Sequence, residues 1–503
     1  MLKKLLIANR GEIALGIIRI ARNMGIKTVA IYSEVDANSL HVKYADEAYS
    51  LGSPRPGQSY LNIDKIIGIA RESGADSIHP GYGFLAENAE FVKACEQEGI
   101  IFVGPSSEAT AKLGDKVQAK RLAQRAGVPV IPGAEEPSQD VSDAIRAASE
   151  LGYPVLVKAV AGGGGKAMRI VREPREMSDA FRIAREESQA AFGIGDVYIE
   201  KLIESPRHIE VQIMADSSGD VVHLYERECS IQRRHQKIIE ECPCPILTED
   251  ERERITGYAK DLAVASGYTN AGTFEFLRDK EGEFYFLEAN CRLQVEHAIT
   301  EMVTGANLVE WQLLIASGEK NPYRQEDIGM KGHAIEVRVY AEDPFKEFLA
   351  SPGEVLSFIP AMGHGVRVYS ALFSGAVVPP HYDPLIAKVA TWGTSRKNAI
   401  DRMTQALDEC VITGVSTTIP YCKELILHEK FLSSDIDTGF VDTLSIKPDS
   451  ADSNMIPFIA AVLDSYLSDS PVEESVKGGQ RKRESDWRWK MSGRLDTLRS
   501  TGV

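Results

Sequence analysis

No stretch of this chain approaches the roughly 18 consecutive apolar residues that a membrane-spanning helix needs. The apolar opening from Met1 to Ala8 stops at Asn9, Arg10 and Glu12, too early for the core of a signal peptide. Cysteine is sparse, with seven in 503 residues, an odd number and no Cys-x-x-Cys pair. Cys242-Pro-Cys244 is too tight for the usual zinc pairing, so reduced structural thiols in a cytoplasm are expected. Positive charge is in deficit: the formal net charge is −16 and no basic region compensates, which argues against nucleic acid as the main partner. GxGxxG and GxxxxGK[ST] are both absent, so neither a dinucleotide fingerprint nor a P-loop is indicated. What remains, 43% hydrophobic and 26% charged, is ordinary globular composition, long enough for several domains and without an internal repeat.

The opening reads as strand, turn, helix, strand. Leu5 to Ala8 is apolar, Asn9-Arg-Gly11 turns, Ile13, Ile17, Ile20 and Met24 recur at helical spacing, and Thr28 to Tyr32 is extended. Such βα units repeat loosely to Phe102-Val103. The loop from His79 to Asn88 follows a strand end, where open α/β sheets place ligands; a structural turn is an equal reading. A second unit begins near Asp115-Lys116. Its strand Pro154 to Lys158 runs into Gly162-Gly-Gly-Gly165 and on to a strand Met168 to Val171. Four glycines cost chain entropy, which a phosphate-covering loop would justify; a flexible hairpin is the alternative. His208, Glu210 and Gln212 share one face of a strand. Gln232-Arg-Arg-His-Gln-Lys237 is either a basic surface cluster or an anion site. Arg338 shares a strand face with Glu336 and Tyr340. A helix is expected near Lys397 to Leu407, then more helix to about Leu444. Past Lys447 come a candidate amphipathic helix (Ile456 to Leu467), a linker (Ser468 to Asp486) and the aromatic-basic patch Trp487 to Lys490.

The most informative stretch is Glu288 to Glu296, which alternates polar with small or apolar residues. Period two sets Glu288, Asn290, Arg292, Gln294 and Glu296 in one row of an extended chain. Two carboxylates, an amide and a guanidinium suit a site for a metal and an anion; a solvated strand face is the plain alternative. The preceding segment from Gly272 reads as an aromatic-rich hairpin. A four-residue loop, Lys280 to Glu283, would set Asp279 against Phe284 and Glu275 against Glu288. Like charges opposed at about 5 Å destabilise a sheet unless a cation lies between them. An oxygen-loving divalent ion such as Mg²⁺ would resolve the conflict.

Ile7-Ala-Asn-Arg-Gly-Glu-Ile-Ala14, His79-Pro-Gly-Tyr-Gly-Phe84, Gly162 to Gly165, Gln232 to Lys237, Arg292-Leu-Gln-Val-Glu-His297 and Arg338-Val-Tyr-Ala-Glu-Asp343 resemble, in order and spacing, the signatures of the biotin carboxylase family. The resemblance covers roughly residues 1 to 446. It implies an α/β, ATP-grasp fold: an N-terminal Rossmann-like (pre-ATP-grasp) domain over 1–114, an ATP-grasp domain over 115–330 with a mobile lid near 131–203, a C-terminal biotin carboxylase domain over 331–446, and a tail over 447–503 with a linker and docking element. It further implies ATP with Mg²⁺ (or Mn²⁺), bicarbonate activated as carboxyphosphate, and biotin on a partner chain as the acceptor. By that resemblance Lys116, Lys158, Gly164 and Gly165 meet the nucleotide phosphates. Glu200, Lys201, Leu202 and Ile203 line the adenine, and His208 and His235 are further nucleotide contacts. Glu275 and Glu288 bridge metal, with Asn290 nearby. Glu296 is the base for bicarbonate, Arg292 its fork, Val295 a backbone contact, Lys237 the cation beside bicarbonate and phosphate, and Arg338 the partner of the biotin enolate.

Three positions depart from the family pattern. Ala167 stands where glycine is usual, Cys291 where Thr or Pro is usual, and Gly16 replaces an arginine of the bacterial dimer contact. No Met-Lys-Met with small flanking residues occurs, so a biotin carrier and a carboxyltransferase are expected on a separate polypeptide, within a hetero-oligomer that also contains homo-oligomeric contacts. A chain of this length with a short tail is similar to the stand-alone biotin carboxylase component of two-subunit pyruvate carboxylases; the same core also serves acetyl-CoA and other acyl-CoA carboxylases. A carboxylate–amine ligase of the same fold would lack Arg338 and the Arg292 to Glu296 spacing. A non-catalytic scaffold would not retain Lys237, Glu296 and Arg338 together.

Overall fold

The apolar opening forms β1 (Lys4–Ile7), the middle strand of a parallel sheet with β2 (Lys27–Ser33), β3 (Glu47–Gly52), β4 (Ser77–His79) and β5 (Ile101–Phe102), in the order β3-β2-β1-β4-β5. A strand covered on both faces needs a continuous apolar run. Leu5 and Ile7 accordingly pack under the helix Gly11–Asn23, while Leu6 joins Ile66 and Ile78 on the other side. The strand order reverses between β1 and β4, so a crevice opens at their carboxyl ends. Asn9 and the loop from His79 to Asn88 sit there, with Asn9 Nδ2 donating to the carbonyls of Pro80 and Tyr82 at 2.7 Å each. The computed structural model describes residues 1–134, 137–159, 168–192 and 197–444.

A smaller antiparallel sheet follows, built from β6 (Val155–Ala159), β7 (Met168–Val171) and β8 (Val197–Lys201) in the order β7-β6-β8. The helices Val141–Leu151 and Met177–Phe192 flank it, and Ala144, Ala148, Val157, Val171, Phe181 and Ile199 give it a core of its own. Gly162 to Gly165, with Gly164 and Gly165, and Ala167 lie outside the described residues. So do the readings made on the tail 447–503.

The largest sheet has eight strands: β9 (Arg207–Ala215), β10 (Val221–Arg233), β11 (Gln236–Cys242), β12 (Asn270–Arg278), β13 (Phe284–Asn290), β14 (His333–Tyr340), β15 (Val366–Ser370) and β16 (Leu385–Gly393). They pair in the order β13-β12-β9-β10-β11-β14-β16-β15, every pair antiparallel. Ile209, Val211 and Ile213 of β9 pack with Phe274, Phe276 and the helix Glu249–Ser266. The alternation leaves His208, Glu210 and Gln212 for the opposite face, where polar chemistry collects. The later helices run Arg396–Glu409, Ile419–Leu427 and Glu429–Leu432. Among the described residues no helix is long and apolar enough to cross a membrane, and all seven cysteines are buried and unpaired.

Two expectations need correction. The strand β13 stops at Asn290; Cys291 to Glu296 is loop, and Glu296 is the residue before the helix His297–Thr304, at φ −81° and ψ 11°. The single extended row therefore does not exist beyond Asn290. In the hairpin Arg278, not Asp279, faces Phe284, because the turn holds five residues rather than four. Glu275 still faces Glu288, because a bulge that leaves Leu287 unpaired restores the register between Phe276↔Phe286 and Glu275↔Glu288.

Candidate active site

Lys237 is the hub of the polar face. A two-residue turn, Arg234 and His235 at φ 50° and 64°, joins β10 to β11 and sets Lys237 opposite Gln232. The Lys237 Nζ donates to Glu210 Oε2 at 2.5 Å, Glu275 Oε1 at 2.8 Å and Glu296 Oε1 at 2.7 Å. Burial works against its charge, but those three carboxylates hold it protonated, well above the usual lysine range. Behind them Arg227, fully buried, donates to Glu210 Oε1 at 2.5 Å, Gln212 Oε1 at 3.0 Å, Thr300 Oγ1 at 2.9 Å and Thr273 Oγ1 at 3.2 Å. Four of the five N–H donors of that guanidinium are spent on bracing the site, which fixes where Glu210 points.

Glu296 bridges two cations. Its Oε1 takes the Lys237 bond and its Oε2 accepts from Arg338 Nη2 at 2.9 Å. Burial alone would raise its pKa; Lys237 and Arg338 outweigh burial and hold it well below the carboxylate range. Arg338 also donates through Nε to Glu240 Oε1 at 2.6 Å. Arg292 lies alongside, its Nη1 on Gln294 Oε1 at 2.7 Å and its Nη2 on Asn290 Oδ1 at 3.0 Å, while Gln294 Nε2 reaches Glu275 Oε1 at 3.2 Å. The loop from His79 to Asn88 joins the site through Glu87. Its Oε2 accepts from Arg292 Nε at 2.8 Å and its Oε1 from the Cys291 N–H at 2.9 Å. The Val295 carbonyl accepts from the buried Lys388 Nζ.

Nearer the small sheet, Glu200 at the end of β8 accepts from both Lys158 and Lys120. Burial would raise the Glu200 pKa, but the two lysines lower it. Lys116 begins the helix Lys116–Arg125, and Lys120 follows one turn on. Lys116 Nζ lies 3.8 Å from Glu288 Oε2. The Lys201 ammonium is tied to the carbonyls of Gly152 at 2.7 Å and Tyr153 at 3.2 Å, and Leu202 and Ile203 are half-buried beyond it. His208 Nδ1 meets Gln232 Nε2 at 2.7 Å and its Nε2 lies 2.8 Å from Glu275 Oε2. His235 stands exposed at its turn. Glu87, Lys120 and Arg227 are the residues that sequence reasoning missed.

A hard divalent ion has donors to meet here. Glu288 is half-exposed and directly opposite Glu275, and partial burial together with the Glu275 charge pushes its pKa up. The opposed carboxylates, with Lys237 on one and Lys116 near the other, also offer oxygens that fit a divalent ion. Asn290 bears differently on it: its Nδ2 donates to Glu275 Oε1 at 2.8 Å and its Oδ1 serves Arg292, so it orients both neighbours. Among the described residues, the groups of three donors close enough to share an ion are His208–Glu210–Glu275 and Glu210–Cys229–Glu296. Glu210, Glu275 and Glu296 already enclose the Lys237 ammonium.

Comparison with known proteins matches the chain along almost its whole described length. Residues 1–110 match the family described as biotin carboxylase, N-terminal domain, residues 115–323 the carbamoyl-phosphate synthase L chain ATP binding domain, and residues 336–443 the biotin carboxylase C-terminal domain. Biotin carboxylase 1 of Bacillus subtilis is 50% identical over 447 residues, 89% of this chain and 99% of that protein. A pyruvate carboxylase subunit of Methanothermobacter thermautotrophicus is 50% identical over 442 residues, 88% of this chain and 90% of that protein. Among solved structures, the biotin carboxylase domain dimer of Hydrogenobacter thermophilus 2-oxoglutarate carboxylase, in complex with MgADP, ADP and bicarbonate, has a TM-score of 0.83 at 46% identity, over 88% of this chain and 97% of that one. With its sheets, its buried lysine–glutamate–arginine cluster and these matches in hand, the chain belongs to the biotin carboxylase family.

Proposed function

We propose that this chain uses ATP to activate bicarbonate as carboxyphosphate and carboxylates biotin carried on a separate polypeptide, as the biotin carboxylase component of a cytoplasmic pyruvate carboxylase. The observation that carries the reading is Glu296, one buried carboxylate bridging Lys237 and Arg338 beside Arg292. Phosphoryl transfer to bicarbonate needs a base for its proton and cations for the charge that develops. Lys237 and Arg338 favour the ionised form of Glu296, the form that can accept that proton. Arg292 offers the fork that holds bicarbonate, Val295 lends its backbone, and Lys237 steadies bicarbonate and the departing phosphate charge. Arg338 then faces the biotin enolate, a charge that exists only after N1′ loses its proton.

Lys116, Lys158 and the glycines Gly164 and Gly165 would meet the ATP phosphates, and Lys120 joins them. Glu200, Lys201, Leu202 and Ile203 would edge the adenine, with His208 and His235 as further contacts. Mg²⁺ or Mn²⁺ would sit between Glu275 and Glu288 with Asn290 orienting them, and when bound it supplies neutralising charge to the phosphates. The domain limits 1–114, 115–330 and 331–446, with a lid near 131–203, belong to the same reading. Pyruvate as final acceptor is favoured by the likeness to the Methanothermobacter pyruvate carboxylase chain. An acyl-CoA acceptor is the alternative, since the acceptor is chosen by the partner carrying the biotin and the carboxyltransferase. Self-association is part of the reading too, given the dimer of the Hydrogenobacter domain. The test is ATP hydrolysis with Mg²⁺ and bicarbonate, with and without free biotin, followed by oxaloacetate formation once the partner chain is added. Bicarbonate-dependent turnover stimulated by biotin is expected; nucleotide binding without stimulation would overturn the assignment.

A further inference from the structure

Arg338 is gripped from behind by a group with no place in the chemistry above. Glu240 is fully buried, its Oε1 accepts from Arg338 Nε, and its Oε2 has no hydrogen-bond partner among the described residues. Directly opposite in the β11–β14 register stands Glu336, also fully buried, with neither oxygen partnered. Opposed side chains in an antiparallel pair begin about 5 Å apart. Other cations nearby are already committed. Lys388 lies 3.3 Å from Glu12 and donates to the Val295 carbonyl, Lys237 is shared by Glu210, Glu275 and Glu296, and Arg338 itself is divided between Glu240 and Glu296.

Two carboxylates facing each other in a dry interior, with one cation bonded to Glu240 and, among the described residues, none to Glu336, do not both stay ionised; one proton between them relieves the repulsion. It also gives one unpartnered oxygen of each residue a hydrogen bond that would otherwise be missing at considerable cost. Burial, the first cause in both cases, pushes Glu240 up to about 7 and Glu336 to about 8. We propose that Glu240 and Glu336 form a one-proton carboxyl pair that positions Arg338 and sets how much of its charge is free for the biotin enolate, an inference that rests on the assignment of Arg338 to the biotin step. With the proton on Glu336, Glu240 is a full anion and clamps the guanidinium. Moving that proton from Glu336 to Glu240 Oε2 leaves Glu336 as the anion and loosens the clamp as the enolate charge arrives. Only one proton moves, within the pair, and no co-reactant is needed. Glu240 is a positioning residue in this scheme, since it acts through Arg338.

The experiment uses the full chain and compares free-biotin-stimulated turnover with bicarbonate-dependent ATP cleavage in the absence of biotin. Glu240→Gln is expected to lower kcat of the biotin-stimulated reaction by about tenfold or more, with a smaller effect on the biotin-independent reaction and on KM for biotin. Glu336→Gln is expected to remove a protonated-carboxyl stretch from the infrared spectrum at neutral pH. Equal losses in both reactions, or undiminished biotin stimulation, would overturn the positioning role. An infrared spectrum that Glu336→Gln leaves intact would overturn the shared proton. Nucleotide binding and circular dichroism establish that each variant is folded; if Glu240→Gln is not, the infrared result on Glu336→Gln decides. Arg338→Met separates the two levels. Biotin stimulation surviving in that variant refutes the assignment of Arg338, whereas its loss there but not in Glu240→Gln refutes the pair alone.

Discussion

Glu296, the base in the proposed reaction, has little intrinsic affinity for a proton, yet it is the only carboxylate that touches both Lys237 and Arg338 among the described residues. Its strength lies in position: it is ionised and held still beside Arg292 before any substrate arrives. Glu296→Gln keeps the shape and removes the charge, so bicarbonate-dependent ATP turnover should fall about a hundredfold or more while nucleotide binding persists. Normal turnover in that variant, measured alongside nucleotide affinity, would show that another group takes the proton. At this scale the sequence revealed the residues whose types are unusual in their surroundings, such as Lys237, Arg292 and Arg338. It concealed Glu87, Lys120 and Arg227, which are ordinary until folding acts. Glu87 meets Arg292 from 205 positions away, and Lys120 meets Glu200 from 80. Nothing local marks such residues.

The hairpin β12–β13 shows how an element can be read correctly through two errors. A four-residue turn and an unbroken ladder place Glu288 opposite Glu275; a five-residue turn with a bulge at Leu287 does the same. Hydrophobic alternation specifies which face a strand buries, but a bulge inserts one residue without altering composition, so it leaves little trace in a single sequence. The bulge absorbs Leu287, so that Phe286 still faces the core and Glu288 the site. Deleting Leu287 removes the extra residue and leaves both orientations intact, so metal-dependent ATP turnover should stay within about tenfold of the parent. A deletion variant that folds but no longer responds to Mg²⁺ would mean the bulge itself shapes the metal site. The run from Cys291 to Glu296 misled for a related reason. Its alternation is genuine in the sequence, but the chain leaves the sheet at Asn290, and the long-range contact with Glu87 and the local Arg292–Gln294 bond hold the loop instead.

Across the whole molecule two populations of buried groups oppose each other in pH. Burial holds His41, His79, His223 and His297 down to about 4, 3, 4 and 3. Unfolded, they bind protons near 6.5, so their contribution is present above that pH and lost as pH falls. Burial raises Glu240, Glu301 and Glu336 to about 7, 7 and 8. Their contribution is complete below about 4.3, the unfolded value, and lost as pH rises through 7 to 8. Each group changes stability by about 1.4 kcal/mol per pH unit within its window. The melting temperature should therefore be nearly level between about pH 5 and 6.5 and fall on both sides. Calorimetry from acid to mildly alkaline buffer checks this, and a melting temperature that climbs through pH 8 would contradict it. The site assembles from residues up to Lys388, so removing residues 470–503 should spare turnover with free biotin; a folded but inactive truncation would show that the tail contributes to catalysis. Glu87 carries a last consequence. It belongs to the first sheet's loop yet anchors Arg292 and the Cys291 N–H of the third. The surroundings of Arg292 are thus common property of two sheets that also share a packed core, and neither is a portable cassette: a chimera that swaps residues 1–110 for a relative's should keep bicarbonate-dependent turnover only if the incoming loop presents a carboxylate at the same point.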